Sequence, residues 1–501
     1  MHKTDTVSSF RTSAKPMWQT SLILLATALL CLPFFDMEIA HTDPWFEMSL
    51  MAQGLLSPDF SIHGLGAATL QTLAFALQAV CFSALLGFVF AQLYHLPGLR
   101  YLMTFLRSIH ELFWALILLQ IFGFCSLTGV LAIAIPYSAT FARVFAEILQ
   151  ETPKYSYKQL SGGRFSRFVF STLPLAWPRM ITYSRYRLEC ALRASVVLGF
   201  IGLPTLGFML EGALKIGRYG EVVTLLLVFI ILVLSINRWA KGPVLAVLFI
   251  LSLILFPPVL FPDTPLQAQL LKQLLHDLVP EPLLVSGGSE MLGAWFLSLW
   301  QTQILPGVAY TLILGQLALF VAAFLALLWF PLICKHILEE QWLRNVNHFF
   351  LVVLRCLPEY LLAFIALILF GPSMLPGVLA IGLHNAALLA HLMGAYSNEL
   401  RLRSDCAGGP DLYVYELLPR IYPQFLSFTL YRGETIFRET AILGVLGIPT
   451  LGFYIDSAFE EFHFDRALLL ILASVLINIG AEIFATKLRQ YLHVNNSDLA
   501  H

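Results

Sequence analysis

Residues 185–208 read RYRLECALRASVVLGFIGLPTLGF, and residues 430–453 read LYRGETIFRETAILGVLGIPTLGF. The two stretches lie 245 positions apart in a chain of 501 residues. A repeat of this length, spaced at about half the chain, is typical of one structural unit that has been duplicated and joined head to tail. We therefore predict two units, with boundaries at 1–240 and 241–501.

The composition places both units in a membrane. Apolar residues make up 58% of the chain and charged residues only 12%, a balance that a soluble fold of this length cannot bury. The net charge of −1 gives no reason to expect nucleic acid as a partner. Apolar runs of about 20 residues, the length that spans a bilayer, lie at 18–35, 68–94, 109–125, 127–148, 194–212, 221–236, 243–261, 302–333, 348–370, 376–397, 439–457 and 466–486. The expected fold is an all-α integral membrane protein of about 12 transmembrane helices, arranged as two parallel six-helix repeats.

The distribution of positive charge sets the orientation, because Lys and Arg accumulate in cytoplasmic loops. Residues 36–67 contain no Lys or Arg, which places this segment outside. The loop at 150–193 holds eight basic residues, which places it in the cytoplasm together with both termini. An even number of spans in each unit makes the two copies parallel. Lys215 and Arg218 lie on the outer side of this topology and run against the rule.

Each unit has a cytoplasmic segment before the repeated stretch. A Gly-Gly turn precedes an apolar stretch that ends in Leu-Pro, and the residues are Gly162, Gly163, Leu173 and Pro174, then Gly408, Gly409, Leu418 and Pro419. The chain has no G-x-x-x-x-G-K-[ST] motif for nucleotide phosphates. If ATP drives the protein, another subunit must bind it. Long loops kept on one side in both units favour a docking role for these segments over packing alone.

Both copies of the repeated stretch contain Gly-x-Pro-Thr-x-Gly. Proline removes a backbone donor, so the helix must kink or unwind there. Two interpretations stay open: a pathway wall whose Thr hydroxyls can reach an anion, or a packing kink whose glycines let helices approach closely. The predicted pathway residues are Gly199, Gly202, Pro204, Thr205 and Gly207, with Gly444, Gly447, Pro449, Thr450 and Gly452 in the second copy.

Several charged pairs are spaced four residues apart, which on one helix predicts a simple salt bridge. These pairs are Glu189 with Arg193, Glu434 with Arg438, Arg107 with Glu111, and Arg355 with Glu359. The functional alternative is a gate, built from Arg187, Glu189 and Arg193 and from Arg432, Glu434 and Arg438, that repacks between states. His384 and His391 share a helix at a spacing of seven without an acidic or cysteine partner, so we predict no metal site.

The chain resembles the phosphonate-type permeases, which are membrane subunits of binding-protein-dependent ABC importers. The motif that carries the resemblance is Tyr186-Arg187-x-Glu189 with Arg193, followed by Leu198-Gly199-x-x-Gly202, and the second copy repeats it from Tyr431 to Gly447. In that family a cytoplasmic loop, with a glycine and a downstream Leu-Pro, forms the helix that docks into the ATPase. The loops here lack the family's Glu-Ala-Ala wording, and Pro-Thr replaces its glycine-rich segment.

The resemblance implies a multi-pass type I importer permease, surrounded by membrane lipid in a bacterial inner membrane. It implies two copies of a separate ABC ATPase subunit and a periplasmic substrate-binding protein as partners. The implied substrate is phosphonate or a related oxyanion, with no cofactor and no enzyme activity in this chain. Two other classes stay open: a secondary transporter with 6+6 parallel repeats, and a membrane-embedded enzyme or scaffold. The scarcity of ionisable residues in the apolar runs argues against both.

Overall fold

The computed structural model describes residues 5–39, 43–152, 163–199, 201–257, 272–273, 275–284, 291–400, 402–403, 409 and 411–492. Helices supply the regular structure of this part of the chain, and it contains no strand. Backbone contacts divide the chain into two compact units. We call residues 48–279 the N-proximal unit, and residues 1–47 together with 280–501 the C-proximal unit.

Helices of the N-proximal unit follow one another with short connections. They are α2 (Pro44–Leu56, which begins just before the unit boundary), α3 (Leu65–Leu93), α4 (Pro97–Ser108), α5 (Glu111–Phe122), α6 (Ser126–Glu151), α7 (Arg164–Arg167), α8 (Leu173–Gly199), α9 (Leu206–Ile216), α10 (Tyr219–Trp239) and α11 (Gly242–Leu255). A π-helical turn at Phe168–Thr172 joins α7 to α8.

Helices of the C-proximal unit come from both ends of the sequence. They are α1 (Asp5–Cys31), α12 (Leu292–Leu299), α13 (Leu305–Trp329), α14 (Gln341–Cys356), α15 (Glu359–Phe370), α16 (Met374–Glu399), α17 (Leu418–Leu443), α18 (Leu451–Glu460) and α19 (Phe464–Tyr491). A π-helical turn at Leu412–Leu417 leads into α17, as its counterpart leads into α8.

The leading apolar helix of each predicted repeat packs with the core of the other repeat. α1 packs against α13, where Gln316 Nε2 donates to Thr27 Oγ1 at 2.8 Å. α11 packs against α3, where the buried Gln78 Nε2 donates to the carbonyl oxygens of Ser252 and Phe256 at 3.0 and 2.8 Å. Carbonyls at a helix C-terminus have no partner within their own helix, so they are available to this glutamine.

Compact packing therefore divides the chain differently from the predicted boundaries of 1–240 and 241–501. The predicted boundaries follow the sequence repeat, whereas the compact units follow which helix covers which core. Residues 1–47 belong by packing to the second core, and residues 241–279 belong to the first.

The number of spans is lower than the 12 predicted. Seven helices of the described chain are long and apolar enough to cross a membrane, and up to ten segments qualify when each bent pair counts as one. The predicted span 243–261 corresponds to α11, whose 14 residues form a helix of about 21 Å against a hydrocarbon core of about 30 Å. The predicted span 194–212 covers the end of α8 and the start of α9, where the helix is broken.

Two further predicted spans, 109–125 and 348–370, fall in sharply bent helix pairs. α4 meets α5 at 90°, and α14 meets α15 at 94°. In the second pair Leu357 and Pro358 are extended between the helices, because proline disfavours a helical conformation at the residue before it. Residues on the two sides of such a bend do not share a helix face, even when four positions separate them.

Small residues pack the central helix pair of each unit, α3 with α6 and α13 with α16. A Cβ atom added at Gly87 of α3 would lie 2.4 Å from the Cβ of Phe141 in α6. In a bilayer, such close backbone approach drives helix association, because lipid already surrounds apolar side chains. The corresponding alanines of the C-proximal unit have no exposed surface, and they are Ala318, Ala322, Ala326, Ala387 and Ala390.

Candidate functional site

The Gly-x-Pro-Thr-x-Gly motif forms a helix break in both units. It separates α8 from α9 in the N-proximal unit and α17 from α18 in the C-proximal unit. Gly202 and Gly447 adopt φ angles of +92° and +82°, the left-handed region that favours glycine. In the C-proximal unit the helix axes before and after the break differ by 45°.

The outer glycines of each motif sit where two backbone segments touch. A Cβ atom at Gly207 would lie 1.9 Å from the carbonyl oxygen of Val196, and one at Gly452 would lie 2.0 Å from that of Ala441. No side chain fits at these distances, so the break requires glycine for packing. The glycines in this kind of backbone contact are Gly199, Gly207, Gly444 and Gly452.

The two threonines of the motifs are fully buried. Thr450 Oγ1 donates to the carbonyl of Thr440 at 3.2 Å. A threonine of the central helix caps the next helix in each unit: Leu206 N donates to Thr72 Oγ1 at 2.9 Å, and Leu451 N donates to Thr311 Oγ1 at 3.0 Å. In this conformation Thr205 and Thr450 therefore pack inside their units and do not present their hydroxyls to an anion.

The central part of each motif is more accessible. Gly202, Pro204 and Gly447 are exposed, and Pro449 is half-buried. The glycine ends of the motif thus match the packing interpretation, while its Gly-x-Pro centre is available to line a pathway.

A buried polar cluster occupies the C-proximal unit. Arg432 Nε donates to Asn385 Oδ1 at 2.7 Å, and Asn385 Nδ2 donates to Glu439 Oε2 at 3.0 Å. Arg432 Nη2 also lies 3.5 Å from Glu439 Oε1. His384 Nε2 is 2.9 Å from Glu359 Oε1, so the prediction that this histidine lacks an acidic partner is wrong. The partner comes from α15, a different helix, and spacing within α16 could not show it.

The equivalent place in the N-proximal unit is aromatic. Arg187 Nε donates to Tyr183 Oη at 2.8 Å. The guanidinium carbon lies 4.7 Å from the ring centre of Tyr137 and 5.6 Å from that of Tyr183, in the range of cation–π contacts. Ala194 stands at the repeat position of Glu439. The same arginine thus has a carboxylate neighbour in one copy and two tyrosine rings in the other.

Two of the predicted salt bridges are not formed. No ion pair joins Glu189 to Arg193 in the described part of α8, where Arg193 is buried and Glu189 is only half-buried. Arg193 Nη2 lies 3.5 Å from Cys190 Sγ instead. Arg355 does not pair with Glu359 either, because the 94° bend lies between them. The proposed gate residues Glu434 and Arg438 lie on α17.

The two predicted docking segments end in helices that begin at their Leu-Pro pairs. Gly162 and Gly408 lie outside the described residues, whereas Gly163 is exposed and Gly409 has a φ of +72°. Large apolar side chains point outward beside them: Phe165 is 80%, Phe170 74% and Tyr415 78% exposed. Their exposure is a property that the sequence pattern alone did not single out.

The basic residues Lys215 and Arg218 border an open cavity of about 990 Å³ in the N-proximal unit. Lys215 Nζ lies 2.6 Å from Glu211 Oε1, and Arg218 Nη1 lies 2.9 Å from Glu221 Oε1. Local carboxylates therefore neutralise the two cations that run against the charge rule. In the same cavity, hydrogen bonds from Ser61 hold the pKa of Asp59 below its ordinary value.

Comparison with known proteins places the chain in a family. Residues 79–241 match the family described as binding-protein-dependent transport system inner membrane component. The phosphate-import permease protein PhnE of Mycolicibacterium smegmatis is 23% identical over 421 residues, covering 78% of this chain and 77% of the relative. The phosphite transport system permease protein PtxC of Stutzerimonas stutzeri is 30% identical over 207 residues, covering 39% of this chain and 75% of the relative. The chain belongs to this permease family. No solved structure matches the permease.

The family match covers α8, α9 and the break between them, so the duplicated motif belongs to the permease domain itself. The alignment with PhnE is longer than either predicted unit, in keeping with two permease units fused in tandem. The family therefore makes this chain a multi-pass component of the inner membrane that works with an ABC ATPase and a binding protein. Within the described residues searched, no group of three or more ligating side chains could hold a metal ion.

Proposed function

We propose that this permease forms the membrane pathway of an ATP-driven importer for phosphonate or a related oxyanion, such as phosphite or phosphate. The observation that carries the substrate class is the similarity to relatives named for phosphate import and phosphite transport. In this proposal a periplasmic binding protein delivers the anion, two copies of a separate ABC ATPase drive the cycle, and both termini lie in the cytoplasm.

The docking segments support the ATPase part of the proposal. Exposed aromatic side chains at Phe165, Phe170 and Tyr415 form apolar surface beside Leu173-Pro174 and Leu418-Pro419. Exposed apolar patches commonly mark sites of protein contact. Arg179 Nη2 lies 2.6 Å from Glu151 Oε2 and joins α8 to α6 next to the first segment. We propose that a push on this segment is passed to α8 and then to the helix break.

The helix breaks are the proposed moving part of the pathway. Exposed Gly202, Pro204 and Gly447 would line it, while the buried outer glycines would act as the contact about which α9 and α18 shift. Irregular backbone at membrane depth is tolerated where it faces water or protein. The gate arginines lie on α8 and α17, one helix segment before each break.

One observation favours a second function, that of a secondary transporter driven by an ion gradient. The pair of Glu359 and His384, with buried Glu439 beside it, provides titratable groups within candidate spans. Such groups mark proton relays in many transporters. The sequence suggested that the spans lack such groups, because Glu359 lies at a helix start and not in the middle of an apolar run.

Purification from native membranes and transport in liposomes test the proposal together. The tagged permease is captured gently, and the copies of each recovered protein per chain are counted by mass spectrometry. The recovered complex is then reconstituted, and uptake of methylphosphonate, phosphite and phosphate is measured with enclosed ATP or with a proton gradient alone. Two ATPase copies per chain and ATP-dependent uptake of an oxyanion are expected.

Recovery of the chain alone, together with uptake that follows the proton gradient without ATP, would reject the importer in favour of the secondary transporter. A known importer complex purified in parallel controls for loss of partners in detergent.

A further inference from the structure

We propose that Arg187 is the anion-binding arginine of the pathway, and that its repeat partner Arg432 is a structural residue neutralised by Glu439. This inference rests on the proposed transport of an oxyanion. It makes the two halves of the permease unequal in function, although they share a motif and a fold.

The two arginines are equivalent by sequence and placement. They lie 245 positions apart, on α8 and α17, at the same distance before the helix break. A difference in their roles must therefore come from the side chains around them.

Arg432 has little left to offer a ligand. It is only 8% exposed, and its guanidinium is held by Asn385 and faces Glu439. Asn385 also binds the carboxylate of Glu439, so the three groups form a closed network. A buried charge is tolerated when it is paired and hydrogen-bonded in this way. An incoming anion would have to displace Glu439, which is itself buried.

Arg187 is held by a different chemistry that leaves its charge available. Its Nε donates to Tyr183 Oη, and its plane is near the rings of Tyr137 and Tyr183. Among the described residues, neither Nη group has a hydrogen-bond partner, and no carboxylate forms an ion pair with this guanidinium. The side chain is half-buried, so the Nη edge remains accessible. Aromatic contacts fix the orientation of the guanidinium without cancelling its charge.

The charges around each arginine point the same way. Glu111 and Arg193 act on Tyr137 together with Arg187, so cations exceed carboxylates there. Around Glu439 the charged groups include Glu359, Arg432 and His384, so carboxylates exceed arginines. An oxyanion is therefore attracted to the N-proximal cluster and repelled by the C-proximal cluster.

A free guanidinium edge suits a tetrahedral oxyanion. Two parallel N–H groups of arginine bind two oxygens of a phosphate-like group at once, which lysine cannot do. The ligand class is thus a tetrahedral oxyanion with at least two unsubstituted oxygens, which phosphite, phosphate and phosphonates share.

Transplanting the neutralising carboxylate provides the test. Ala194→Glu places beside Arg187 the group that Glu439 supplies to Arg432, and Ala194→Gln is a control of the same size without the charge. Arg187→Gln removes the cation directly. We expect Ala194→Glu and Arg187→Gln to lower the uptake of methylphosphonate, phosphite or phosphate about tenfold or more, and Ala194→Gln to lower it far less.

The matched variant in the other half is the double substitution Arg432→Leu with Glu439→Leu, which removes the neutralised pair without leaving a buried charge. It should keep uptake within about twofold of the unmodified permease. Recovery of the ATPase and basal ATP hydrolysis, measured for every variant, show whether the complex is still assembled.

Equal uptake by Arg187→Gln and the unmodified permease would overturn the inference, as would equal losses in Ala194→Glu and Ala194→Gln. A greater loss in the Arg432 and Glu439 double variant than in Arg187→Gln would also overturn it. Absence of ATP-dependent uptake by the unmodified permease itself would instead reject the proposed function.

Discussion

At the scale of single residues, the glycines of the helix break have separable roles. Gly207 touches the carbonyl of Val196, whereas Gly212, one turn later in α9, has open space around its Cα. Gly207→Ala should therefore destabilise the protein by about 2 kcal/mol or more through overpacking. Gly212→Ala should be neutral or slightly stabilising, because alanine favours a helix. Thermal unfolding of the purified variants in detergent measures both, and equal melting temperatures would contradict the packing role of Gly207.

The sequence could predict the helix break but not the surroundings of its residues. Proline and glycine act on their own backbone, so their effect is visible in a local pattern. The partners of Thr205, Arg187 and His384 come from other helices, and those contacts depend on how helices pack. For this reason the expected hydroxyl contacts of Thr205 and the expected isolation of His384 do not match the structure.

At the scale of helical elements, the docking segments invite a direct test. Phe170 lies in the π-helical turn before α8 and is 74% exposed, while Phe60, in the segment predicted to lie outside, is 67% exposed. Phe170→Ser should lower recovery of the ATPase with the permease about tenfold, since a few aromatic residues carry most of the energy of an interface. Phe60→Ser removes a similar exposed ring elsewhere and should leave recovery unchanged.

Full recovery of the ATPase with Phe170→Ser, Tyr415→Ser and their combination would show that these segments do not dock the ATPase. Replacement of Gly163 by a bulky residue tests the same surface from the start of α7. Loss of recovery in both kinds of variant is expected.

Element boundaries show where hydropathy is informative and where it is not. The long helices α3, α6, α10, α16 and α19 lie close to predicted spans, because each is a continuous apolar run. The bends before α5 and α15 interrupt apolar runs without a long polar gap, so hydropathy reads through them. The i, i+4 pairing of Arg355 with Glu359 was inferred across such a bend, and it is wrong for that reason.

At the scale of the whole molecule, fusion of two permease units in one chain is combined with exchange of their leading helices. A repeat boundary at 240 would remove α11 from the core that it covers. A fragment of residues 1–271 keeps α11 on α3, together with the hydrogen bonds from Gln78, whereas a fragment of residues 1–240 leaves Gln78 without these carbonyls. A buried glutamine amide without partners is costly in a membrane.

We therefore expect fragment 1–271 to melt about 5 °C or more above fragment 1–240 when both are purified in the same detergent. Gln78→Leu, which removes the need for a polar partner, should narrow that difference, because the shorter fragment then exposes no unsatisfied amide. Co-expression with residues 272–501 completes the test, since α1 on either first fragment supplies the helix that packs on α13. Equal stability of the two fragments would show that the repeat boundary, and not the exchange of helices, defines the folding unit.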